Sequence, residues 1–305
     1  MNHRRGTVVS LRAALPFLAF CGVVLLVGSN IVAIRFSNRE LPPLWGAGTR
    51  FLLAAAIFWV LLRVRGLSLP RGRALLGAAL FGLTGIAGYF ALVYWGLVEL
   101  EAAYGQILLA LIPLITLFLS SVQGLERLHW PGIAGAIVTV AGIAVIFHQQ
   151  LEAQSSWVSL LALIAAAVCA AQGGIFLKLF PPENLIAANT VAMSLGAVLL
   201  LCMSILSGEA RVVPVQAATW VAFAFLATLG TMGTFMLAMY VLRHWTASAA
   251  SYQFVLAPVV ALALAGVLLG ERVGADFFIG GGLVVAGVYL GAILPLRARV
   301  PSESK

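Results

Sequence analysis

Charge is what this sequence has least of. Only 9% of its 305 residues are Asp, Glu, Lys or Arg, while 62% are hydrophobic. Water-soluble domains carry about a quarter charged residues, so a chain of this composition cannot clothe a surface that faces water. Aspartate occurs once, as Asp276, and lysine twice, as Lys178 and Lys305. The first excludes a paired-aspartate catalytic site; the second, with no GxxxxGK[ST] stretch, leaves ATP hydrolysis unsupported. The histidines His3, His129, His148 and His244 all fall in a terminus, loops or span ends, so neither a buried Ser-His pair nor an HExxH zinc site is visible. Cysteine is also sparse. Cys21, Cys169 and Cys202 each lie in an apolar run without a CxxC, and read as small core side chains, with no metal and no cofactor implied. This inventory points away from an enzyme.

What the chain has in abundance is apolar runs. A hydrocarbon core about 30 Å thick needs about 20 apolar residues per helical crossing. Windows of that kind fall at 15–37, 42–63, 74–97, 101–121, 130–148, 157–178, 184–206, 217–240, 247–269 and 275–295. Arg4, Arg5 and Arg12 before the first run resemble the flank of a signal peptide, but the run is too long and no small-x-small site follows, so a retained first span is expected. The expected fold is therefore all-α, with ten transmembrane helices in a lipid bilayer.

The net charge of +8 would suggest nucleic acid in a soluble protein, but here it marks topology. With the N-terminus inside, thirteen Lys and Arg fall in inner segments and four (Arg35, Arg39, Arg211 and Arg272) in outer loops. Basic residues resist translocation, so both termini are expected in the cytoplasm of a bacterial inner membrane protein.

The chain also repeats itself. Pro113 and Glu126-Arg127 recur as Pro258 and Glu271-Arg272 at one offset, 145 residues. At that offset Gly85, Gly88, Phe90, Leu92 and Leu97 meet Gly230, Gly233, Phe235, Leu237 and Leu242; Gly135, Ala141 and Gly142 meet Gly280, Ala286 and Gly287; and Gly28 meets Gly173. Residues 15–150 and 157–295 thus read as two five-helix units. Five is odd, so the second unit enters the membrane upside down, as in secondary transporters with inverted-topology repeats. The two halves can then exchange roles, opening a central site to one side or the other.

The two-repeat plan, Ser29-Asn30 in the first span, Arg50 in the second, the mid-span prolines of spans four and nine and the Glu-Arg after each resemble the drug/metabolite transporter (DMT) superfamily, and within it the EamA-like ten-helix metabolite exporters. Val27 stands where that family often has a Trp before its Gly-Ser. The resemblance implies export of amino acids or other small metabolites, commonly driven by a proton or cation gradient.

Residues at the level of a central cavity are the candidates for contact with substrate. Pro113 and Pro258 lie deep inside spans, where a missing N–H frees a carbonyl and kinks the helix. Gln106 and Ser251 stand seven residues earlier on nearly the same face. Arg50 is the one charge well inside a span; it either meets a substrate carboxylate or is held by carbonyls and a polar neighbour such as Asn30, pinning spans one and two. Tyr89 and Tyr252 lie toward mid-span, and Gln172 stands where Val27 stands in the first repeat. Glu126 and Glu271 adjoin arginines at helix ends and are expected to organise turns. The GxxxG pairs Gly287/Gly291 and Gly266/Gly270 suit either close packing within the chain or a homodimer contact. Two other readings stay open: a nucleotide-sugar or phosphometabolite carrier of the same superfamily, for which Arg50 alone is a poor match, and, in a different class, a channel or intramembrane enzyme.

Overall fold

The computed structural model describes residues 3–100, 108–128, 130–147, 157–268 and 275–293. Ten helical elements follow one another in them. In chain order these are α1 (His3–Ser37), α2 (Pro43–Val64), α3 (Gly72–Gly96), α4 (Ile112–Val122), α5 (Trp130–Phe147), α6 (Trp157–Leu179), α7 (Leu185–Leu206), α8 (Ala217–His244), α9 (Ala247–Leu268) and α10 (Ala275–Val288). Seven of them are long and apolar enough to cross a membrane, and α4, α5 and α10 are shorter over the described residues. A helix satisfies its own backbone groups, which hydrocarbon cannot do, so this is the form such runs take. The 22 residues of α2 span about 33 Å. The chain is an all-α membrane protein of two five-helix repeats.

The packing obeys a pseudo-twofold exchange. Helices related by the 145-residue offset lie against each other in two places, α2 on α7 and α5 on α10. The others cross over: α1 packs on α8 and α9, and α6 packs correspondingly on α3 and α4. The two halves are thus interleaved, with α1 seated in the second repeat and α6 in the first. Glycines permit the closest approaches, because no Cβ holds the backbones apart. A Cβ at Gly28 would sit 2.7 Å from the Ala257 carbonyl on α9, and one at Gly173 would sit 2.8 Å from the Gly85 Cα on α3. Gly135 meets Gly287 and Gly291 between α5 and α10, so that GxxxG works inside the chain. Gly270 of the other GxxxG lies outside the described residues.

Two features were not visible in the sequence windows. Both α3 and α8 carry a π-helical turn, Gly82–Gly88 and Thr228–Gly233, and the two coincide under the repeat offset. Single π turns disturb the i→i−4 ladder and re-aim the side chains around them. The prolines also differ from a matched pair of mid-helix kinks. Pro258 lies inside a helical segment that restarts at Gln253 after a turn at Tyr252, whereas Pro113 occupies the first turn of α4, just after an interruption at Ala110–Leu111. A proline in a first turn removes no needed hydrogen bond.

Carboxylates from loops stitch the repeats together. After α7, Gly208 adopts φ 72°, a left-handed conformation that suits glycine. The chain thereby turns so that Glu209 accepts hydrogen bonds from the Leu44 and Trp45 amides at the start of α2 (3.0 and 2.7 Å) and from the Ser204 hydroxyl. Reciprocally, Glu40, after α1, accepts from the Val215 and Gln216 amides that precede α8 (both 3.1 Å at the shortest). Glu126, after α4, accepts from the Ser248 amide and hydroxyl at the start of α9. Each places an anion on exposed helix N–H groups, where the helix dipole favours it. Rather than organising its own turn, as expected, Glu126 caps with its carboxylate a helix 122 residues away in the other repeat; Glu271 and Arg272 lie outside the described residues.

Candidate functional site

A cavity of about 130 Å³ lies between the crossed helices, with room for on the order of ten waters. Its wall is mostly apolar. On α3 and α8 it is built by repeat-related pairs: Tyr89, Phe90 and Val93 face the space with Thr234, Phe235 and Ala238, each pair at the same 145-residue offset. Asn30 of α1, Thr116 of α4, Ser251 and Gln253 of α9 add polar groups. Gly174 of α6 also opens on it, and a Cβ there would meet no described atom within 4 Å.

Asn30 is 7% exposed. Its amide donates to the Gly230 carbonyl in the α8 π turn (2.7 Å) and, at 3.5 Å, to the Thr234 hydroxyl, while its Oδ1 has no hydrogen-bond partner. Ser251 is buried on the wall and donates to the Ser248 carbonyl (2.7 Å). Tyr89 stacks edge-on against Phe90 (4.7 Å) and Phe254 (6.1 Å). These three expected residues, Asn30, Tyr89 and Ser251, therefore share one space.

The remaining candidates are placed elsewhere. Gln172 turns to Gln123, and the two amides exchange hydrogen bonds (2.9 and 3.3 Å) that tie α6 to the end of α4. Tyr252 lies in a separate small crevice with Pro113, Gly135 and Gly287. Pro258 does not line the cavity, although its neighbours on the α9 surface touch Gly28. Gln106 lies outside the described residues.

Arg50 is fully buried but stands behind the wall. Its Nε donates to the Thr231 hydroxyl of α8 (2.9 Å) and its Nη1 to the Tyr94 hydroxyl of α3 (3.1 Å). Its guanidinium lies 4.8 Å from the ring centres of both Phe51 and Phe90. Each such desolvated cation–π contact contributes about 2 kcal/mol. No carboxylate among the described residues pairs with it, and Nη2 has no acceptor. The polar neighbours are thus Thr231 and Tyr94, with Asn30 bonded one residue away at Gly230. Together they join α1, α2, α3 and α8 around one charge.

Sequence reasoning missed Phe90, Thr231 and Thr234. The repeat alignment did contain a signal for the first, since Phe90 and Phe235 are an identical pair in register. Nothing local marks Thr231. Among the described residues no group of three or more His, Cys, Asp and Glu could hold a metal ion.

Comparison with known proteins matches this geometry. The EamA-like transporter family matches residues 14–148 and again 157–292. The inner membrane transporter YedA of Escherichia coli (strain K12) is 30% identical over 285 residues, covering 92% of this chain and 91% of YedA. A protein of the same strain named "Probable amino-acid metabolite efflux pump" is 28% identical, covering 88% of this chain and 91% of its own. One from Streptantibioticus cattleyicolor named "Probable terminal-alkyne amino-acid exporter" is 29% identical over 74% of this chain and 75% of its own. A crystal structure with 22% identity superposes with a TM-score of 0.72 over 93% of this chain and 98% of that one, and shows the same fold. With the family matched twice over nearly the full length, once on each repeat, the chain belongs to the EamA-like transporters and is a multi-pass membrane transporter of the inner membrane.

Proposed function

We propose that this transporter exports amino acids or related small metabolites by alternating access, with residues 15–150 and 157–295 acting as two mutually inverted halves and both termini in the cytoplasm. The observation that carries the reading is the cavity wall on α3 and α8, where repeat-related residues face one space from helices that run in opposite directions. A wall made this way is equivalent toward either membrane face, which is what a carrier needs and a continuous pore does not. Among the described residues the cavity has no uninterrupted polar lining of the kind a channel uses.

Asn30, Tyr89 and Ser251 contact the solute in this reading. The apolar lining suits a solute with an apolar body. Among the described residues Arg50 is the single fully buried cation, which disfavours phosphorylated or nucleotide-linked solutes carrying two or more charges. Two of the relatives named above are called amino-acid exporters or efflux pumps, which supports the same solute class.

The test is an efflux screen of amino acids and related metabolites from proteoliposomes, with and without a proton gradient. Saturable flux of at least one amino acid above protein-free liposomes is expected. Flux confined to phosphorylated solutes, or flux that rises linearly without saturation, would refute it.

A further inference from the structure

Arg50 heads the fully buried side chains by size, and its donors are only partly used. A guanidinium in apolar surroundings needs compensation, and here two hydroxyls and aromatic faces supply it while Nη2 stays free. One side chain belongs both to this nest and to the cavity wall. Phe51 covers Arg50 from the core side and does not reach the cavity; Phe90 covers it at 4.8 Å and also lines the cavity. Beside Phe90, across the α8 π turn that holds Arg50 through Thr231, stands Asn30, a wall residue whose Oδ1 lies buried against Gly230 without a hydrogen-bond partner, so that it becomes an acceptor only when the wall opens.

An unused cationic donor and an unused neutral acceptor thus flank the same turn. We propose that Phe90 is a lid over a latent carboxylate subsite: the solute's carboxylate displaces the ring and takes Arg50 Nη2, while its ammonium donates to Asn30 Oδ1. This rests on the transporter reading and narrows it to solutes that present both groups on an apolar body, that is, zwitterionic amino acids with apolar side chains. The exchange runs toward the ligand because a charge-assisted hydrogen bond is stronger than the cation–π contact it replaces. A neutral amide gains too little, and a cation is repelled by the guanidinium.

The experiment uses counterflow of labelled leucine in proteoliposomes, with leucinamide and 4-methylpentanoate as competitors lacking the carboxylate charge and the ammonium respectively. In the wild type each competitor should need about tenfold more than unlabelled leucine for half-inhibition. Phe90→Leu, which keeps an apolar side chain, should lower the half-saturating leucine concentration several-fold and widen the leucine-to-leucinamide ratio. Arg50→Gln should erase that ratio, and Asn30→Ala should erase the ratio to 4-methylpentanoate. Leucine flux with leucinamide competing as well as leucine, or an unchanged ratio in Phe90→Leu, overturns the subsite and leaves the transporter reading standing. No amino-acid flux of any kind overturns both. Repeating the assay with chloride replaced by isethionate separates the solute's own anion from a bound one: unchanged flux is expected, and chloride-dependent flux would assign Arg50 to chloride instead.

Discussion

Two glycines on the cavity wall and its lining turn separate transport from stability. At Gly174 a new side chain enters open space on the wall, so Gly174→Leu should occupy the cavity without disturbing the helices around it. Flux should fall about tenfold or more with an unfolding midpoint in detergent within about 2 °C of wild type; unimpaired flux would show that the solute does not pass this wall. At Gly230 the opposite holds, because a Cβ would meet the Asn30 amide directly. Gly230→Ala should destabilise by about 1–3 kcal/mol, read as a lowered midpoint, since overpacked side chains must leave their rotamers. An unchanged midpoint would mean that the Asn30 contact with the π turn contributes nothing. Asn30 and Arg50 could be singled out from the sequence because a polar side chain in an apolar run is conspicuous. Their partners could not: threonine and phenylalanine are ordinary residues in a membrane helix, and only the interleaving of α2 with α3 and α8 brings Thr231, Tyr94 and Phe90 to one guanidinium.

Between elements, the connections outside the membrane do more than close loops. Glu40 is partly buried, and its carboxyl is held below its ordinary value near 4.5 chiefly by the Thr219 hydroxyl, with the Val215 and Gln216 amides adding to it. A depressed folded-state pKa contributes stability that is present above the ordinary value and lost as pH falls through the folded one. Thermal unfolding of wild type and Glu40→Gln should therefore differ at pH 7, with the variant less stable, and the difference should shrink as pH falls below the ordinary carboxylate value. A constant difference across that range would remove the charge of Glu40 from the account. The α5–α10 pair makes a different demand. Gly135 is pressed against Gly287 and Gly291, so Gly135→Leu should force these helices apart and lower stability without changing oligomeric state, read by light scattering in detergent. Loss of a dimer in that variant, with the monomer unaffected, would move the motif to an intermolecular contact. The caps on α2, α8 and α9 were illegible in advance because each carboxylate serves a helix far away in the chain: Glu209 and Leu44 are 165 residues apart. The π turns left no trace either, beyond glycines in register.

For the whole molecule, the fold was legible because the constraint is coarse: lipid requires long apolar helices, and the helices can be counted. The gapless 145-residue offset added the second layer, since an odd number of spans per repeat forces inversion. What it could not supply is which helices exchange partners, and the crossing of α1 into the second repeat and α6 into the first is what encloses the cavity. That enclosure is the centre of the account, and Val93 and Ala238 test it. Both line the cavity, they are related by the repeat, and each lies toward the C-terminal end of its helix, so that in antiparallel helices they stand toward opposite faces of the membrane. In a chain with Cys21, Cys169 and Cys202 replaced by alanine, Val93→Cys and Ala238→Cys would be probed separately with a membrane-impermeant thiol reagent, in right-side-out and inside-out vesicles, with and without transported solute. Alternating access predicts that Val93→Cys reacts only from the outer side and Ala238→Cys only from the inner side, and that solute shifts the two rates in opposite directions. Reaction of both from the same side, at rates that solute leaves unchanged, would contradict it.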